Sequence, residues 1–118
     1  MKSAGESDKL FSQVMRDLQE MQRLTEAKIS ATLARDPERL MHILQEQIDP
    51  MYRLSTRTIE LAGLNEAQKF ELRTHITRWA NREQYLKDLL EKNIGYINYL
   101  RHLMGINDTQ WPGLNLGL

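Results

Sequence analysis

REQYLKDLLEKNIGYINYLRHLMG, residues 82–105, decides how the chain is read. Leu86, Leu89, Asn93, Tyr96, Leu100 and Leu103 step by three and four, the spacing that keeps side chains on one face of a helix. A polar Asn93 interrupts the stripe, with Gly95 beside it and Tyr96 and Tyr99 widening the apolar face. A single seam asparagine sets helix register at a cost in stability. Alternatively it lines a groove and bonds to a bound peptide. Upstream, Phe70, Leu72, Ile76, Trp79 and Leu90 extend the same face, and Asn65 with Gln68 supplies an approximate capping box. The spacing predicts one helix over 66–104, about 60 Å long at about 1.5 Å per residue, too long for a compact globule. Gly105 ends it.

Two further helices precede it. Phe11, Val14, Leu18, Met21, Thr25, Lys28 and Thr32 predict a first helix over 8–35, started by Ser7 or Asp8. Its seam turns polar in the second half, which predicts weaker packing there. At ARDPER, residues 34–39, Asp36 is a natural N-cap and Pro37 suits the first helical position, where a missing N–H costs nothing. Leu40, Leu44, Gln47, Met51, Leu54, Thr58 and Leu61 then predict a second helix over 37–62, with Pro50 imposing a kink or short break near 48–50. Short connections between long helices imply antiparallel neighbours. The fold class is all-α: an elongated antiparallel three-helix bundle with coiled-coil-like packing, a long C-terminal helix and a tail over 105–118, in a single domain.

Composition narrows the function. The 118 residues carry sixteen basic and sixteen acidic side chains, and no basic block stands out, which argues against nucleic-acid binding. The small basic run around Arg53 and Arg57 reads as a solvated face. There is no cysteine, hence no disulfide or thiolate metal site. No apolar run reaches membrane-spanning or signal-peptide length, so the expectation is a cytoplasmic protein without stable membrane insertion.

Reactive constellations are sparse. His42, His75 and His102 lack metal-ligand spacing, and Glu71 with His75, on one helix face, is a pairing common on solvated surfaces. There is no phosphate-binding glycine loop and no nucleophile elbow. A helical enzyme holding a dianion would need basic residues on its apolar seams. Arg73, Arg78, Arg82 and Arg101 fall beside or opposite them, so no enzyme activity, metal or cofactor is expected. More informative are the polar seam residues Gln47, Thr58 and Asn93. Met15, Met21, Met41, Met51 and Met104 lie on or beside apolar faces, where methionine can repack around a partner.

EAKISATLARDPERLMHILQEQ, residues 26–47, and LKDLLEKNIGYINYLRHLMG, residues 86–105, resemble two regions of the FlgN-like flagellar export chaperones. The first is similar to their turn, where a long helix with a polar end meets a short Asp-containing connection and then a Leu-rich helix. The second is similar to their C-terminal helix. The resemblance implies a cytoplasmic type III secretion chaperone that binds the disordered C-terminal segments of hook-associated (hook–filament junction) proteins and brings them to the export gate. It places Leu89, Leu90, Asn93, Tyr96, Ile97, Leu100 and Leu103 at the substrate protein. It also puts Trp111, Pro112 and Gly113 where an aromatic-and-glycine tail of the family is implicated in gate contact, although this tail departs from the usual tyrosine–glycine pattern. Two other readings stand beside it: a FliT-type chaperone of the filament-cap protein, and a structural coiled-coil protein whose spare apolar surface closes a homodimer.

Overall fold

The computed structural model describes residues 4–92, and these are helical with no strand among them. Helix α1 (Ala4–Leu33) is followed by α2 (Pro37–Glu46), α3 (Ile48–Thr56), a short 3₁₀ helix (Glu60–Gly63) and α4 (Glu66–Glu91). The long α1 packs against all three other helices, and the body measures 51 × 22 × 21 Å.

The turn after α1 follows from local chemistry. Arg35 takes a left-handed conformation (φ 52°), which lets its N–H reach the Thr32 carbonyl and the Asp36 N–H reach that of Ala31. Those two bonds close the last turn of the helix in the Schellman manner. Asp36 then turns its side chain to the next helix, its carboxylate accepting from the Arg39 N–H at 3.1 Å with Pro37 leading α2. One residue therefore stops one helix and starts the next. The capping box at Asn65 and Gln68 is complete in both directions, at 2.8 and 3.1 Å.

Helix two is broken rather than kinked. Pro50 has no N–H to give the Glu46 carbonyl, and its ring crowds that carbonyl. The chain resolves the conflict at Gln47, which ends α2 and precedes α3. The second helical stretch also stops at Thr56, short of the expected residue 62, and reaches Gly63 through the 3₁₀ helix. Ser7 and Asp8 do not start α1, which already includes them. They join it to the 3₁₀ helix and to the first turn of α4: Ser7 donates to the Gly63 carbonyl at 3.3 Å, and Asp8 accepts from Gln68 at 2.9 Å.

The core is a column of apolar side chains: Leu18, Met21 and Leu24 from α1, Leu40 from α2, and Leu72 and Leu86 from α4 are all buried. Phe70, expected on the apolar face of the last helix, is 69% exposed. Leu72, Trp79, Leu86 and Leu90 define the buried face of α4, and at about 100° per residue Phe70 falls well away from it.

Candidate functional site

The polar half of the α1 seam is where the structure departs furthest from the expected weak packing. Thr25, Lys28 and Thr32 are all buried. Lys28 is held from both sides: its ammonium donates to Glu83 Oε1 on α4 at 2.7 Å and to Gln47 Oε1, at the break between α2 and α3, at 2.8 Å. The Lys28 and Glu83 side chains are 2% and 1% exposed. The Thr25 hydroxyl lies 2.7 Å from the same Glu83 oxygen and 2.9 Å from the Met21 carbonyl, so its single proton serves one acceptor at a time. It accepts in turn from the Trp79 indole N–H at 2.9 Å. Thr32 donates to the Lys28 carbonyl, as buried helical threonines do.

This layer ties three stretches of chain at one level. Burial pushes the Lys28 ammonium down from its ordinary value, while the Glu83 carboxylate pulls the other way through charge and hydrogen bond. Leaving either partner alone in the interior would strand a charge, so each holds the other in place. The break at Gln47 belongs to the same arrangement, because the residue at which the helix stops is also the one whose amide reaches Lys28. With both charged groups almost fully covered and paired with each other, the layer specifies packing rather than offering a reacting centre.

Glu83 is absent from the predicted seam, although it lies four residues after Trp79 and three before Leu86. The readable signal was a pair: a lysine on one apolar seam and a glutamate on another.

A second ion pair joins α1 and α4 nearby. Arg82 grips Glu26 with two parallel bonds of 2.8 and 2.9 Å, and its guanidinium lies 4.9 Å from the centre of the Tyr85 ring. The Arg82 guanidinium holds the Glu26 carboxyl below its usual range.

Of the residues expected to contact a substrate protein, two fall within the described residues. Leu90 is 3% exposed and belongs to the core, and Leu89 is half-buried against it. The stripe therefore begins as interior packing of this chain. Asn93, Tyr96, Ile97, Leu100 and Leu103 lie outside the described residues, as do Trp111, Pro112 and Gly113. Among the described residues no group of three or more His, Cys, Asp or Glu side chains is placed to hold a metal ion, and no helix is long and apolar enough to cross a membrane. No protein-family model, curated protein or solved structure matches the chain.

Proposed function

We propose that this chain is a cytoplasmic export chaperone of the FlgN-like type, acting in flagellar type III secretion by binding rather than catalysis. Its fold in this reading is an up-down-up antiparallel bundle with coiled-coil-like packing. The partners across α1 support that course. Asp17 meets Arg53 and Arg23 meets Glu46, so numbers fall on one side as they rise on the other. Toward α4, Asp8 meets Gln68, Gln22 meets His75 and Lys28 meets Glu83, so there they rise together.

One observation carries the functional reading. Because Lys28 is level with Glu83, the last residue of α1, Leu33, comes level with Asp88 on α4. The apolar rhythm of the sequence continues beyond that level through Tyr96, Ile97, Leu100 and Leu103. Helix α1 ends at Leu33, before that rhythm of the sequence does. An amphipathic helix from another protein supplies the missing wall, the mode by which a groove captures a helix through anchors three and four residues apart. The C-terminal segment of a hook-associated protein is the substrate implied by the resemblance. The ordering cost of a disordered segment keeps such a complex releasable at the export gate.

Copurification with the C-terminal fragment of a hook–filament junction protein tests this. The double substitution Ile97→Glu with Leu100→Glu abolishes capture while far-ultraviolet circular dichroism of the free protein changes little. Capture that survives the double substitution places the binding surface elsewhere. A filament-cap fragment captured in its stead assigns the FliT-type role.

A further inference from the structure

The basic run at Arg53 and Arg57 is more than a solvated face. Both side chains converge on Asp17 of α1, whose side chain is 8% exposed: Arg53 Nε donates to Oδ1 at 2.9 Å, and Arg57 Nη1 lies 3.6 Å from Oδ2. Arg16 and Gln13, on the adjoining turns of α1, complete a hollow of roughly 280 Å³. Three guanidinium groups and one carboxylate line it, a surplus of two positive charges (three minus one). Arg16 has no carboxylate partner among the described residues, and the Arg53 side chain remains 46% exposed.

Asp17 is the organising group. A nearly buried carboxylate fixes Arg53 and draws in Arg57, so the forks stand in place before any ligand arrives. An arginine fork matches the two oxygens of a carboxylate. We propose that this hollow is a docking site for an acidic side chain, aspartate or glutamate, carried by a partner protein. Asp17 engages Arg53 through Nε and Arg57 through Nη1, which leaves the other guanidinium donors for a second anion. A shallow site of that kind suits an anion whose carrier makes further contacts, since a small free anion there has few atoms over which to gather affinity. The site is independent of the C-terminal apolar stripe and of the chaperone reading.

The test follows the Arg16, Arg53 and Arg57 side-chain Nε–H signals by nuclear magnetic resonance on the full chain. One arm adds a blocked Gly-Glu-Glu-Gly-Glu peptide, a second its glutamine counterpart, and a third inorganic phosphate at matched ionic strength. The glutamate peptide moves the three signals saturably, and the glutamine peptide leaves them in place. Arg16→Gln, at an exposed residue whose side chain makes no hydrogen bond or ion pair among the described residues, weakens the glutamate peptide on the order of tenfold without altering the melting temperature. Equal shifts from the two peptides, unchanged affinity in Arg16→Gln, or saturation by phosphate with no response to the glutamate peptide each overturn the proposal. So does silence in all three arms.

Discussion

Two ion pairs join the same two helices within a turn of each other, one inside the protein and one on its surface. Lys28–Glu83 is almost wholly buried, with Thr25, Gln47 and Trp79 gathered around it. Glu26–Arg82 has better bidentate geometry but stands in water, with side chains about half exposed. Geometry alone would rank the outer pair higher. Solvent reverses the order, because an exposed pair gives up little when it parts, whereas a buried one leaves an uncompensated charge. The interior pair therefore specifies how α1, Gln47 and α4 line up, and the outer pair adds a modest clasp.

Removing one buried partner is the severest way to break this contrast. Glu83→Ala is expected to cost about 3–5 kcal/mol in urea or thermal unfolding, by stranding the Lys28 ammonium. Replacing both, Lys28→Met with Glu83→Leu, recovers most of that loss, and a double-mutant cycle reads the coupling directly. If the single and double variants are equally destabilised, the pair does not act as a unit. Thr25→Val comes next, at about 1–3 kcal/mol, because the Trp79 indole N–H loses its buried acceptor. Tryptophan fluorescence and unfolding midpoints report it together.

The outer clasp answers to acid. Glu26 titrates below its ordinary value when folded, through its hydrogen bonds to Arg82. The folded state thus binds fewer protons than the unfolded one near the carboxylate range. Its stabilisation is fully present above the unfolded value of 4.5 and fades as pH falls through the lower folded value. Glu26→Gln should flatten a small part of the loss of melting temperature between neutral and acid pH. An unchanged acid slope would remove the clasp from the account.

Local signals in the sequence were legible where neighbours a few residues apart make the structure. Asp36 with Pro37, and Asn65 with Gln68, act over three residues or fewer, and they appear at the helix starts they predict. The three-four rhythm identified the buried leucines for the same reason. Lys28 and Glu83 lie 55 residues apart, and neither letter announces the other. A polar seam looked like poor packing because its satisfaction comes from two other stretches of chain. The convergence of Arg53 and Arg57 on Asp17, across 36 and 40 positions, was hidden likewise. Pro50 marked the neighbourhood of a break, but its place at Gln47 depends on the carbonyl four residues before the proline.

The long separation of Lys28 from Glu83 also bears on how the protein is born. During synthesis α1 and α2 are made before the glutamate has been added. Through that interval the unfinished side of α1 presents hydrated threonines and an ammonium rather than a further run of leucine, so the growing chain has less sticky surface to offer its neighbours on the ribosome. A lysine that is awkward in the finished interior thereby guards the half-made hairpin against clumping.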